Sequence, residues 1–195
     1  MYESPRPARD GPARGGFEYR ALVPVERFRA AVAVYGILRE EDRVLLMRRA
    51  GSGYHDGELS LPAGHVDGGE DVRSALGREL AEELRIVVDP AACRLSVVAH
   101  RAPNWPTDDE YVDLFFTVDR WSGAPSIGEP DKCSELVWAR TCELPSDTIA
   151  YVSRALVACD RGETLVLDGW RAAASRPTMP GQHDQEAHDP RPEQR

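Results

Sequence analysis

No apolar stretch in this 195-residue chain reaches the roughly 18 residues that a membrane-spanning helix needs. Cysteine is scarce: Cys93, Cys133, Cys142 and Cys159 are the only four. No two of them form a C-x-x-C pair, which argues against a structural zinc site and points to reduced thiols in a cytosolic setting. The amino-terminal MYESPRPARDGPARGG lacks the apolar core of a secretory signal, so a cytoplasmic location is expected. A basic excess is missing as well. Lys and Arg number 24 against 33 Asp and Glu, a formal net charge of -9. That balance argues against general binding to nucleic acid backbones or anionic membranes. A small anionic substrate would need local basic residues or metal ions to enter. There is no internal repeat.

What is present suits one domain with a proper core. Residues 1–23 begin with a Pro-, Gly-, Arg- and Ala-rich run and read as a flexible arm; residues 24–170 form the expected folded domain. Residues 171–195 are polar and Pro-bearing, too poor in large apolar side chains to offset their ordering entropy, and read as a disordered tail. Within the domain, FRAAVAVYGILR (28–39) and RVLLMRR (43–49) are strand-like, with a polar hairpin turn between them. GSGYHDG (51–57) reads as a loop, ELSLP (58–62) as a short strand stopped by Pro62, and AGHVDGGE (63–70) as a Gly-rich loop. Residues 94–102, 111–121, 134–140 and 164–170 read as further strands. Residues 146–159 read as an amphipathic helix with Ser146 as its N-cap. Strands, a helix, more strands and a second helix make a mixed α/β domain.

The segment DVRSALGRELAEEL (71–84) has helical periodicity, with Val72, Leu76, Leu80 and Leu84 in one stripe. Its last turns carry Glu79, Glu82 and Glu83, facing the negative pole of the macrodipole at a cost of about 0.3–1 kcal/mol each. At about 100° per residue the three carboxylates share an arc of roughly 100° that borders the Leu stripe. Mutual repulsion should raise their pKa values, and a hard divalent cation would find there a good oxygen-ligand set. A solvated acidic face, helped by Arg78 pairing with Glu82, is the plainer alternative. The preceding LPAGHVDGGE supplies Gly64, Gly68 and Gly69, which can expose backbone groups to a phosphate or metal or simply make a tight turn. Glu70 sits where a negative charge suits a helix start.

Taken together, residues 64–86, GHVDGGEDVRSALGRELAEELRI, resemble the Nudix box G-x5-E-x7-R-E-U-x-E-E-x-G-U, where U is a bulky aliphatic residue. Gly64, Glu70, Arg78, Glu79, Leu80, Glu82, Glu83 and Ile86 occupy matching positions. One position departs: Arg85 stands where the family has a Gly that ends the helix in a left-handed conformation. The resemblance implies the Nudix fold, a mixed β-sheet sandwiched between α-helices.

The resemblance also implies a hydrolase of nucleoside diphosphates linked to another moiety. Glu79 and Glu83 would hold Mg²⁺ or Mn²⁺, with Glu82 assisting directly or through water and the Gly64 carbonyl adding a backbone ligand. Arg78 would orient the glutamates, and Glu70 would support Arg78 or the metal shell. Glu83 is the first candidate for general base, Glu129 in SIGEPDKCSE the second, and Glu135 a weaker third. Trp105 and Tyr111 are candidates to stack on a base, whereas Phe115 reads as core. Arg48, Arg49 and Arg101 are candidate phosphate contacts, and His65 a lesser one. The expected substrate is a nucleoside triphosphate, yielding the monophosphate and pyrophosphate. ADP-ribose or a nucleotide sugar is the alternative, on the strength of a Pro that such members carry beyond the box; Pro103 here is off that spacing by one. A nucleotide-binding sensor without catalysis is the alternative of another class. No membrane and no stable nucleic acid complex is expected, and a homodimer is left open.

Overall fold

The computed structural model describes residues 28–103 and 109–170. The arm at 1–23, the tail at 171–195 and Trp105 lie outside the described residues. Eight strands and two α-helices follow one another as β1 (Ala31–Glu40), β2 (Arg43–Arg49), β3 (Leu59–Ser60), β4 (Ala63–His65), α1 (Val72–Leu84), β5 (Arg94–Arg101), β6 (Tyr111–Val118), β7 (Cys133–Arg140), α2 (Ala150–Asp160) and β8 (Leu165–Asp168). A 3₁₀ turn, Thr141–Glu143, precedes α2.

β1 organises the sheet. It leaves the β1–β2 hairpin after pairing only at Arg39↔Val44 and Glu40↔Arg43. Further along, β6 runs parallel on one edge and β4 antiparallel on the other. β5 is antiparallel to β6 and parallel to β8, while β2 takes β3 and β7 as antiparallel partners. The hairpin neighbours β1–β2 and β5–β6 are antiparallel, whereas the parallel pairs β1–β6 and β5–β8 are separated in sequence by stretches that contain a helix.

The alternation along β1 feeds two apolar layers. Ala33, Tyr35 and Ile37 pack into the layer under α2, with Phe115, Val152 and Leu156. Val34 and Leu38 pack into the layer under α1, with Leu76, Leu80, Leu84 and Phe116. One helix on each face of a mixed sheet is the α/β sandwich expected.

Two local expectations change. Residues 63–65 are not loop: they form β4, with Ala33↔His65, Val34↔Gly64 and Tyr35↔Ala63 in register. Once β2 diverges, that edge of β1 would be left with unpaired backbone groups, and β4 supplies their partners. Ser146 does not cap α2, which starts at Ala150 after Ile149 with no side-chain cap. Thr148 leaves a turn to bridge β3 at Leu59, where Leu59 N–H donates to Asp147 O and Ile149 N–H donates to Leu59 O, both at 2.9 Å. At the start of α1 the cap is Asp71, whose side chain accepts from Arg73 and Ser74 N–H. Glu70 is thereby left to pair elsewhere.

Candidate active site

α1 buries Ala75, Leu76, Leu80 and Leu84, and Glu79 and Glu83 flank that stripe on the side that meets β4. The approach is close. A Cβ on Gly64 would lie 1.9 Å from the Glu79 carboxyl carbon, so only glycine lets strand and carboxylate share this space. One residue earlier, Ala63 N–H donates to Glu83 Oε2 at 2.9 Å.

Arg78 ties the cluster together. Its terminal nitrogens lie 2.6 Å from Glu70 and Glu79 and 3.5 Å from Glu82, and one donates to the His65 carbonyl at 3.1 Å. Glu70 also accepts from Asp67 N–H at 2.9 Å, which fixes the Gly-rich turn ahead of the helix. Glu82 is exposed, and apart from the Arg78 contact it stands at the rim.

Burial, above all, pushes the Glu83 carboxyl up to about 8; Glu79 and Glu129 nearby add to it, and the Ala63 N–H works the other way. Burial raises Glu79 too, against its contact with Arg78. Repulsion among the carboxylates is thus present but second to desolvation, a cause that a helical wheel does not show.

The end of α1 is closed by backbone. Arg85 adopts the left-handed conformation (φ 57, ψ 31) and its N–H donates to Ala81 O, so the helix ends as the glycine would end it, with the strain borne by Arg. Ser126 N–H donates to Leu84 O at 3.0 Å and Gly128 N–H to Glu83 O at 2.7 Å. These donors satisfy carbonyls that a helix C-terminus leaves open. A Cβ on Gly128 would come within 1.8 Å of the Glu82 carbonyl oxygen. The same segment brings Glu129 to the site, with Lys132 Nζ 2.9 Å from its carboxylate.

A cavity of about 620 Å³ opens here, lined on one side by Gly64, Glu79, Glu83, Glu129 and Lys132. A second cluster lining it is aromatic: Tyr35, Tyr54, Tyr111 and Tyr151 with Arg101. Arg101 packs against the rings of Tyr111 and Tyr151 and pairs with the buried Asp113. Burial works against the Arg101 charge, and Asp113 more than restores it. His65 Nε2 lies 3.3 Å from the Tyr111 hydroxyl, between the two clusters.

Arg48 does not reach the cavity. It is held by Glu135 at 2.7 Å, Asp147 at 2.6 Å and the Gly57 carbonyl at 2.8 Å. The pairing of β2 with β7 is irregular between Arg48 and Arg49, and Arg49 is the one that lines the cavity, anchored on Tyr54 O and Ser52 Oγ. Glu135 is thereby occupied. Phe115 is fully buried in the core, and His55 pairs with Glu58. Lys132, Tyr35, Tyr54 and Tyr151 had no spacing to mark them in the sequence; only the fold gathers them.

Among the described residues no three acidic, imidazole or thiol groups stand together at coordinating distance, because Glu79 is turned onto Arg78 and Glu83 onto Ala63. The donor chemistry nevertheless suits a hard divalent cation. Two adjacent carboxylates with a glycine backbone against them are oxygen ligands, and a desolvated carboxylate held near 8 is a group that a cation would stabilise.

Comparison with known proteins bears on the family and the fold. A family model described as NUDIX domain matches residues 27–158. The chain is 29% identical over 117 residues to an 8-oxo-dGTP diphosphatase of Escherichia coli, covering 58% of this chain and 86% of that protein. It is 30% identical over 105 residues to an ADP-ribose pyrophosphatase of Methanocaldococcus jannaschii, covering 54% of this chain and 60% of that one. Among solved structures, a MutT NUDIX hydrolase from Burkholderia pseudomallei superposes with a TM-score of 0.61 at 27% identity, over 67% of this chain and 98% of that chain.

Proposed function

Because the chain belongs to the NUDIX family and so hydrolyses a nucleoside diphosphate linked to another moiety, we propose that its substrate is a nucleoside triphosphate, cleaved to the monophosphate and pyrophosphate. The observation that carries this reading is the single cavity that joins the carboxylates of α1 to an aromatic cluster. One side suits a polyphosphate and the other a base. The similarity to the 8-oxo-dGTP diphosphatase over 86% of its length supports the same choice.

Glu79, Glu83 and the Gly64 carbonyl would hold Mg²⁺ or Mn²⁺, with Glu82 assisting from the rim. When bound, the ion neutralises phosphate charge and lowers the pKa of a water. Glu83, which lines the cavity and is held by the Ala63 N–H, is our first choice to take the proton of the attacking water, a bound cation keeping its carboxyl ionised. Glu129 is the second choice for base, positioned at the same cavity by the cap on α1. Arg78 orients Glu79 through its 2.6 Å contact. Arg49 and Lys132, which line the cavity, face the phosphate oxygens; of the arginines named for that role, Arg48 is held away from it. Tyr111 borders the base, and Trp105 remains a candidate outside the described residues.

The partner we assign is a small nucleotide in the cytoplasm rather than a nucleic acid, on the ground of the acidic balance. Among the described residues no helix is long and apolar enough to cross a membrane. A second reading, hydrolysis of ADP-ribose, is favoured by the 30% identity to the Methanocaldococcus jannaschii protein.

The test is phosphate release, coupled through a pyrophosphatase or phosphatase, from nucleoside triphosphates, ADP-ribose and nucleotide sugars with Mg²⁺ or Mn²⁺. Metal-dependent turnover of the triphosphates, lost in Glu83→Gln, is the expected result. Turnover of ADP-ribose alone would move the assignment to the second reading. Full activity in Glu83→Gln would remove the metal-site and base assignments together.

A further inference from the structure

The aromatic side of the cavity contains an ion pair that the hydrolytic step does not use. Arg101 on β5 is 3% exposed and Asp113 on β6 is fully buried. Arg101 Nε donates to Asp113 Oδ2 at 3.0 Å, and Asp113 Oδ1 has no partner among the described residues. The guanidinium carbon lies 4.2 Å from the Tyr111 ring centre and 4.4 Å from that of Tyr151. On its terminal side, the partner of Nη1 among the described residues is the Tyr54 hydroxyl, at a long 3.4 Å.

A buried pair of this kind is weak evidence for stability, since apolar residues of similar volume often serve as well. Its location is more telling. Two rings and a carboxylate hold the guanidinium rigid at a cavity wall, and its loosest contact is on the terminal nitrogens. A rigid fork of donors is suited to planar, two-point recognition. Asp113 cancels the charge, so the site is tuned to neutral acceptors, while phosphate charge is met by Arg49 and Lys132 elsewhere in the cavity.

Adjacent neutral acceptors on a planar group occur at the 6-oxo oxygen and ring nitrogen 7 of guanine, the commonest two-point partner of arginine. Adenine places an amino donor at the first position, and 8-oxoguanine an N–H at the second. We propose that Arg101, positioned by Asp113, Tyr111 and Tyr151, reads the substrate's base as an undamaged 6-oxopurine, displacing the Tyr54 hydroxyl. The inference rests on the nucleoside triphosphate reading above and specifies its base.

The test compares kcat/KM for GTP, ITP, ATP and 7-deaza-GTP, and for dGTP against 8-oxo-dGTP, on the wild-type chain. GTP and ITP should be equivalent, because the 2-amino group is not read. ATP, 7-deaza-GTP and 8-oxo-dGTP should each fall by about 10–100-fold against their partners. The double variant Arg101→Gln, Asp113→Asn, which leaves no unpaired buried charge, should bring the GTP to ATP ratio close to one; if it does not fold, the wild-type analogue series decides alone. Equal rates for GTP and 7-deaza-GTP, or a preference for 8-oxo-dGTP, would overturn the assignment while leaving a triphosphate hydrolase. If no triphosphate is turned over, calorimetric binding of GTP and ATP with Mg²⁺ separates the two ideas. Selective GTP binding would keep this inference without the hydrolase reading, and unselective or absent binding would end it.

Discussion

Replacing Glu83 by Gln in the metal-free protein should stabilise it, by an amount that grows with pH. The native carboxyl is pushed up to about 8, chiefly by burial, while in the unfolded chain it titrates near the ordinary value of about 4.3. Between those values the unfolded state has released its proton and the native state has not. Stability therefore falls as pH rises through this window, and the loss is complete once the native carboxyl has ionised as well. Each pH unit is worth about 1.4 kcal/mol, so the deficit at pH 7 is on the order of 4 kcal/mol. Gln keeps the shape and an oxygen for the Ala63 N–H that Glu83 accepts at 2.9 Å, but it does not ionise. Urea unfolding with EDTA, from pH 5 to 8.5, should show the two proteins converging at the acid end and separating above it, the variant being the more stable. Added Mg²⁺ should narrow the gap by stabilising the wild type in proportion to its binding. Parallel curves across the whole range would refute the reasoning, because they would mean that Glu83 is as well solvated folded as unfolded.

Gly64→Ala should lower kcat by about 100-fold, since a displacement of about 1 Å in a positioned group can cost that much and a Cβ there would press on the Glu79 carboxyl; steady-state kinetics on a variant with unchanged circular dichroism would check it. Arg49→Ala should raise KM several-fold, and Arg48→Ala should leave KM alone while slightly lowering the unfolding midpoint, as Arg49 and not Arg48 lines the cavity; the reverse order would give the phosphate contact to Arg48. Arg85→Gly should stabilise by about 0.5–1 kcal/mol, the relief of a left-handed conformation less the flexibility that glycine adds to the unfolded chain, read as a shift in the urea midpoint at unchanged activity.

The motif residues were legible because one helix carries most of them. Arg78, Glu79, Glu82 and Glu83 keep the neighbour relations set by 3.6 residues per turn wherever the helix is placed. The two-layer sandwich was legible for a similar reason, as the alternation of β1 shows at Ala33, Val34 and Tyr35. Other features depend on what lies across the fold. β4 forms because β1 has an open edge, which its own composition does not announce. Strand alternation puts Arg48 and Arg49 on opposite faces of β2, but only the fold shows that the face of Met47 and Arg49 is the one bordering the cavity. Arg101 was named among the phosphate candidates, but its pairing with Asp113 joins neighbouring strands 12 residues apart in sequence. Tyr35, Tyr54 and Tyr151 come from β1, a loop and α2, with no common spacing to connect them.

The acidic end of α1 has a physical account in two parts. Ser126 and Gly128 donate to the carbonyls of Leu84 and Glu83, so part of the negative pole that the glutamates would face is already neutralised by backbone donors. That leaves desolvation of Glu83 as the larger cost, and at a site of this kind a cation or a retained proton offsets it. The loop that provides the donors also carries Glu129 and Lys132 to the cavity. Capping and the placement of the second candidate base are therefore mechanically linked: the close approach of Gly128 to the Glu82 carbonyl sets where Glu129 stands relative to Glu83. A side chain at that position would both loosen the helix end and displace the second candidate base.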